Sequence, residues 1–184
     1  IDNMFMISYE RSKDTSNCHQ QSLKQQFTDT DDSTNKKDAK LHLTKFLDVT
    51  RSDMLFADKV ILVEGIAEKL LLPLFMEKCN CPYEDKYVSI VEIGGKHFEH
   101  FVELFNKNSV NKKVLCITDK DFNWSKDDKL ASLKEYNSYE PNHLKKLKER
   151  FNIDNFYVCT QSQGGKTFED ELMIANIEEK DTSS

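Results

Sequence analysis

Short apolar runs alternate with amphipathic segments from Asp58 onward. Runs rich in Val, Ile and other apolar residues predict strands at Lys59–Val63, Tyr87–Ile93, Lys113–Thr118 and Asn155–Thr160. Apolar residues at three- and four-residue spacing predict helices at Ile66–Cys79, His97–Asn106, Pro141–Phe151 and Thr167–Glu178. This alternation predicts an α/β fold with a central, mostly parallel, Rossmann-like sheet of about four strands and helices on both faces.

The segment before Asp58 predicts an N-terminal helical or irregular extension. Met4–Tyr9 has the pattern of one strand, and Glu10–Lys37 is polar with little periodicity, which predicts a loop or a weak strand. Helical spacing returns in Asp38–Phe56. We therefore divide the chain into a linker at residues 1–37, a helical lead-in at residues 38–57 and the sheet domain at residues 58–184.

Composition and charge narrow the class of protein. Hydrophobic residues make up 38% of the 184 residues and charged residues 32%, which suits one domain with an appendage. No apolar run approaches the ~20 residues of a membrane span, and the first residues do not have the pattern of a signal peptide. The net charge of −6 argues against tight, nonspecific DNA binding by this piece alone. Because the chain begins with Ile rather than Met, we expect a fragment of a longer protein.

The five cysteines do not have the spacing of a zinc finger. Cys116 and Cys159 lie in predicted strands, where a cysteine is usually a small buried hydrophobe. Cys79 and Cys81 have no two further ligands at finger-like spacing. We therefore expect reduced thiols with structural roles, in a cytoplasmic protein without membrane association.

Acidic residues follow the predicted strands. Right-handed crossovers bring the C-terminal ends of parallel strands to one edge of the sheet, where ligands bind. Glu64 ends the first strand, and Glu68 lies in the first turn of the next helix, with Gly65 permitting the bend between them. The helix dipole would explain an acid at Glu68 but not at Glu64.

A second acidic pair, Asp119 and Asp121, follows the third strand. If the chain stays extended here, the two carboxylates point the same way. D-x-D alone is most often a polar loop, but here it faces the acidic pair from another strand. After the fourth strand, Glu169 is predicted to reach the same edge, and Thr167 to cap the helix or to supply an oxygen ligand.

Two neighbouring features of the last predicted strand–helix connection have simpler interpretations. Helix-dipole placement accounts for acids at Asp170 and Glu171. Gly164–Thr167 resembles the end of a P-loop, but Thr160 stands where the motif requires its first glycine. A nucleotide-binding P-loop is therefore not predicted.

Carboxylates from several strand ends repel one another unless cations neutralise them. Oxygen ligands select hard ions, so we expect Mg²⁺ or Mn²⁺. Two such ions about 4 Å apart would stabilise the attacking and leaving oxygens of a phosphodiester displacement. The predicted metal-ligating and catalytic residues are Glu64, Glu68, Asp119, Asp121 and Glu169, with Thr167 as a further metal ligand.

These motifs resemble a known family. Glu64-Gly65-x-x-Glu68 and Asp119-x-Asp121 are similar to the Toprim fold of topoisomerases, primases and certain nucleases. Leu47–Phe75 is similar to the start of the Toprim domain of OLD-family ("overcoming lysogenization defect") endonucleases, and VSIVEIGGKHF, CITDKD and GGKTFEDEL fall where that family has its later blocks. The resemblance covers about Ala39–Ile177.

The resemblance implies a function. OLD proteins join an N-terminal ABC-type ATPase, which dimerises, to a Toprim nuclease that nicks or cuts DNA with two divalent metals. The resemblance thus implies that the protein is a DNA endonuclease that acts in phage defence or DNA repair. It also implies that the five carboxylates are metal ligands and that residues 1–37 are a linker or an ATPase remnant. ATP would act only through the missing ATPase, and a homodimer or higher oligomer would form through it. No complete Walker A motif is present, and the family's C-terminal lysine does not map before Ser184.

Alternatives to a nuclease stay open from the residues alone. A topoisomerase- or primase-like Toprim enzyme shares both acidic motifs, and a non-enzymatic receiver-like module would also collect acids at this edge. Lys96 and Lys166 follow glycine pairs near the edge, and Lys145 and Lys146 lie on a basic helix. All four are candidates for phosphate or DNA contact, although solvated lysines are the simpler interpretation.

Overall fold

The computed structural model of the chain describes residues 5–11, 16–22, 41, 45–47, 52–84, 86–95, 97–105, 112–124, 129–151 and 154–177. Strands β1 (Phe5–Arg11) and β2 (Ser16–Ser22) form an antiparallel two-stranded sheet. β2 lies in a segment for which the sequence predicts a loop or weak strand. Helical residues in the predicted lead-in occur at Leu41, Lys45 and Phe46, followed by helix α1 (Asp53–Phe56).

The predicted parallel sheet is confirmed. Its strands are β3 (Lys59–Val63), β4 (Val88–Glu92), β5 (Lys113–Ile117) and β6 (Phe156–Cys159). They are hydrogen-bonded in the order β4-β3-β5-β6, and every pairing is parallel. The accompanying helices are α2 (Ile66–Lys78), α3 (Phe98–Val102), α4 (Lys129–Ser138), α5 (Asn142–Arg150) and α6 (Phe168–Ala175).

The strand order creates a switch point between β3 and β5. The chain runs from β3 to one side to form β4, then crosses back to the other side of β3 to form β5. Right-handed connections therefore place α2 and α3 on opposite faces, and the C-terminal ends of β3 and β5 are where ligands bind in such sheets. Val63 pairs with Ile117, so the next residues, Glu64 and Thr118, are neighbours at this switch point.

One apolar core supports the sheet. Val60 and Leu62 of β3 are buried together with Phe101 and Val102 of α3 and Leu147 of α5. The period-two alternation of strands explains the burial of Val60 and Leu62 on one face. This core fixes the strands whose ends carry the acidic residues.

The cysteines depart from expectation at one position. Cys116 is buried in the central strand β5, as predicted. Cys159 is exposed, which contradicts the prediction, because β6 is an edge strand in which alternate residues face outward. All five thiols are free. In the part of the chain that the structure describes, every helix is too short or too polar to span a bilayer.

Candidate active site

Glu64 joins the ends of three strands. Its Oε1 accepts hydrogen bonds from the hydroxyl of Thr118 and from the amide of Asp119, the latter at 3.0 Å. Its backbone carbonyl accepts from the amide of Gly95, which follows β4, at 3.1 Å. The side chain is half-buried at the switch point. A carboxylate here is therefore built into the site rather than left on the surface.

Glu68 is the most deeply buried carboxylate of the group, with 6% of its surface exposed. Its Oε2 accepts from the amide of Gly65 at 3.2 Å. A Cβ at Gly65 would lie 3.2 Å from the same oxygen, so a larger residue here would require the Glu68 carboxylate to shift by a few tenths of an ångström. Burial raises the pKa of Glu68, and the negative charges of Asp119 and Glu169 raise it further.

Asp119 is oriented by two donors from the segment after β6. Its Oδ1 accepts from Nε2 of Gln161 at 2.7 Å and from the amide of Phe168 at 3.0 Å. Burial raises the pKa of Asp119, and repulsion from Glu64 and Glu169 acts in the same direction. Electrostatic repulsion therefore links four of the predicted carboxylates, Glu64, Glu68, Asp119 and Glu169, although among the described residues no three of them bring their oxygens within 4.8 Å of one another.

Asp121, Glu169 and Thr167 differ in how they are placed. Asp121 has a φ of 52°, so the chain does not stay extended after Asp119, and its amide donates to the carbonyl of Lys166 at 3.0 Å. Glu169 is exposed and accepts from the hydroxyl of Thr167 at 3.0 Å. Thr167 caps α6 by accepting from the amide of Asp170 at 3.4 Å. Metal ligation by all six predicted residues stays a prediction.

The four candidate phosphate-binding lysines do not share one arrangement. Lys96 lies outside the described residues. Lys166 is exposed and donates to Oδ1 of Asn123 at 3.2 Å. Lys145 and Lys146 are exposed on α5. Their contact with DNA stays a prediction.

Gln161 is a supporting residue that sequence reasoning missed. It is buried, with 8% of its surface exposed. Its Oε1 accepts from the amide of Lys120 at 2.6 Å while its Nε2 donates to Asp119. The amide group thus connects the loop after β5 to the loop after β6. The available signal was a polar residue directly after the fourth predicted strand.

Glu171 has a more specific role than the helix-dipole interpretation gives it. Its Oε1 accepts from the amides of Ser162 and Gln163, both at 2.7 Å, and its Oε2 accepts from the amide of Gly165 at 2.8 Å. Burial alone raises the pKa of Glu171, but these hydrogen bonds outweigh that effect and lower it. Glu171 therefore holds the loop that contains Gln161.

Thr118 and His143 form a second supporting group that the sequence did not reveal. Nε2 of His143 lies 3.3 Å from Oγ1 of Thr118, whose hydroxyl donates to Glu64. A hydroxyl carries one proton, and here it is directed at Glu64, so the arrangement assigns the donor role to Nε2 of His143. The basic helix α5 thus reaches the site through His143.

The donor set fits hard divalent cations. The four clustered carboxylates supply oxygen ligands, which Mg²⁺ and Mn²⁺ prefer. The raised pKa values of Glu68 and Asp119 are a sign of the desolvation and mutual repulsion that a cation would relieve.

A protein family matches the segment that carries these motifs. Residues 55–121 match the family described as "Overcoming lysogenization defect protein-like, TOPRIM domain". This segment includes Glu64, Glu68, Asp119 and Asp121. The resemblance drawn from the sequence is therefore confirmed for residues 55–121.

Two curated relatives and one solved structure are similar to parts of the chain. The chain is 26% identical over 157 residues to Endonuclease GajA of Bacillus cereus strain HuB5-5, a match that covers 73% of this chain and 22% of the relative. It is 30% identical over 95 residues to Endonuclease GajA of Bacillus cereus strain VD045, covering 52% of this chain and 16% of the relative. The C-terminal region of the Burkholderia pseudomallei OLD protein is similar at 24% identity and a TM-score of 0.43, covering 65% of this chain and 59% of that chain. The chain thus spans about a fifth of the length of these curated relatives.

Proposed function

We propose that this chain is the Toprim nuclease domain of an OLD-family enzyme, a divalent-metal-dependent DNA endonuclease that hydrolyses phosphodiester bonds. The observation that carries the proposal is the carboxylate cluster at the switch point between β3 and β5. The family match over residues 55–121 supports it, and so do relatives that are named endonucleases. The acidic charge of the site favours a substrate approached through cations rather than by direct contact with the carboxylates.

Five carboxylates and one hydroxyl would together hold two ions of Mg²⁺ or Mn²⁺. These ligands are Glu64, Glu68, Asp119, Asp121, Glu169 and Thr167. When bound, the ions supply charge stabilisation for the attacking and leaving oxygens of the phosphodiester. The chain's own contribution is orientation. Thr118 holds one oxygen of Glu64, and Gln161 with the amide of Phe168 holds one oxygen of Asp119. Such supporting bonds fix the direction of a ligating carboxylate.

The proposal extends to the rest of the protein. We assign residues 1–37 to a linker or a remnant of a preceding ABC-type ATPase domain, residues 38–57 to a helical lead-in and residues 58–184 to the nuclease domain. ATP would act through the ATPase domain, which would also form a homodimer or a higher oligomer. We place the protein in the cytoplasm, with DNA as its partner. Phage defence or DNA repair is the role that suits the family.

The test is cleavage of supercoiled plasmid by the natural full-length protein with Mg²⁺ or Mn²⁺, and with EDTA. We expect nicked or linear product that EDTA abolishes, and loss of product in Glu64→Ala and in Asp119→Ala. Glu77→Ala is the matched control, because Glu77 is an exposed carboxylate on α2. Undiminished cleavage by both site variants would refute the proposal. A covalent protein–DNA adduct would favour the topoisomerase alternative, which uses a tyrosine nucleophile.

A further inference from the structure

Two imidazoles and one carboxylate meet beside the end of β4, outside the carboxylate cluster. The ligating atoms of His97, Glu99 and His100 all lie within 4.8 Å of one another. Oε1 of Glu99 is 3.9 Å from Nδ1 of His97 and 3.9 Å from Nε2 of His100. The two rings are nearly parallel, with centroids 6.1 Å apart and an angle of 22° between their planes.

The backbone that carries these side chains is fixed by the core. Phe98 and Phe101 are 1% and 0% exposed, and they anchor α3 against the sheet. The three polar side chains keep more contact with solvent, at 62% exposure for His97, 32% for Glu99 and 20% for His100. An ion would therefore reach them without any change in the packing of α3.

The chemistry of this group differs from that of the carboxylate cluster. Imidazole nitrogens favour Zn²⁺ and its neighbours among the transition metals, whereas Mg²⁺ takes oxygen ligands in an octahedron. Bonds of about 2.0–2.1 Å in a tetrahedron separate ligands by roughly 3.4 Å. The two 3.9 Å separations to Glu99 are thus about half an ångström wider, and the imidazole nitrogens lie within 4.8 Å of each other, so side-chain rotation would have to close the site around an ion.

We propose that His97, Glu99 and His100 form a second metal site, specific for Zn²⁺-class transition ions. Three protein ligands leave a fourth position for water or for an oxygen of a bound molecule. The site lies on the same sheet edge as the carboxylate cluster, because the preceding Gly95 donates to the carbonyl of Glu64. It uses none of the carboxylates assigned to Mg²⁺, so it goes beyond the proposed nuclease function and does not rest on it.

The test is titration of the full chain with Co²⁺, whose visible spectrum reports a tetrahedral site, followed by displacement with Zn²⁺. In excess Mg²⁺, which competes for the carboxylate cluster, we expect one Co²⁺ equivalent with a tetrahedral spectrum, and we expect Zn²⁺ to displace it. His97→Asn combined with His100→Asn should weaken binding at least about tenfold, since even substitutions behind a ligand cost 10–100-fold. Both residues are outside the core, so circular dichroism should show a folded variant.

Two control variants make the result decisive. Glu64→Gln combined with Asp119→Asn removes carboxylates of the other cluster and should leave the tetrahedral Co²⁺ spectrum in excess Mg²⁺ unchanged. Failure of the nuclease proposal is thereby separated from failure of this one. Cys79→Ser combined with Cys81→Ser removes two exposed thiols, a competing ligand type for such ions, and should leave the spectrum unchanged. Loss of binding in either control, or an unchanged affinity in the histidine variant, would overturn the proposal.

Discussion

Glu171→Gln tests whether the loop between β6 and α6 is held by a charge. In the native chain this carboxylate accepts three backbone N–H groups, from Ser162, Gln163 and Gly165. A Gln amide offers one acceptor oxygen and directs an NH₂ group at a donor. Ser162 and Gln163 are exposed, so their N–H groups can donate to water when the carboxylate is removed. Gly165 is buried, so its N–H group is left without an acceptor. We therefore expect a loss of roughly 1–3 kcal/mol, the cost of one buried donor left without an acceptor.

The neighbouring Asp170→Asn variant is the matched control. Asp170 and Glu171 both lie in the first turn of α6, so both variants lose the same helix-dipole contribution of about 0.3–1 kcal/mol. Only Glu171 also holds the loop. Urea unfolding in EDTA at neutral pH should therefore show a larger loss of stability for Glu171→Gln than for Asp170→Asn. Equal losses would mean that the helix dipole suffices and that the loop contacts contribute nothing measurable.

The comparison of the native chain with Glu171→Gln also gives a pH dependence of stability with a defined sign. The pKa of Glu171 is lower in the folded chain than its ordinary value, so its contribution to stability is fully present above the unfolded pKa. That contribution is lost as pH falls through the folded pKa, because the protonated group no longer accepts as an anion. The stability difference between native chain and Glu171→Gln should therefore shrink in acid. A difference that stays constant or grows on acidification would refute the reasoning.

Three further predictions concern the supports of the carboxylate cluster. Gln161→Leu removes the donor to Asp119 and should weaken Mg²⁺ binding about 10–100-fold by calorimetry, whereas Leu at the exposed Gln163 should not. Thr118→Val removes the hydroxyl that donates to Glu64 and should lower the cleavage rate of the full-length protein, whereas Thr118→Ser should retain it; equal rates would exclude this role. Gly165→Ala should destabilise the fold by about 1–3 kcal/mol in thermal melts, because the added Cβ would lie 2.6 Å from the backbone nitrogen of Glu171. An unchanged melting temperature would show that α6 shifts to accommodate the Cβ at no cost.

The sheet was predictable because its strands carry their own signal. β3 to β6 coincide with apolar runs, and the alternating order of strands and helices dictated the parallel arrangement. β2 carries no such signal, since its sequence SNCHQQS has no apolar alternation, and it pairs with β1 through the backbone. Cys159 was misassigned because an apolar run does not tell an edge strand from a central one.

The acidic residues were predictable from the sequence, whereas the residues that orient them were not. Glu64 and Glu68 are four residues apart, so local geometry alone placed them at one edge. The bond from Gln161 to Asp119 spans 42 residues, and that from Thr118 to Glu64 spans 54, so each depends on strand order and register. Sequence spacing therefore identifies which residues carry the charge but not which residues orient them. The φ of 52° at Asp121 makes the same point, because a single backbone angle redirects a carboxylate that an extended pattern would align with Asp119.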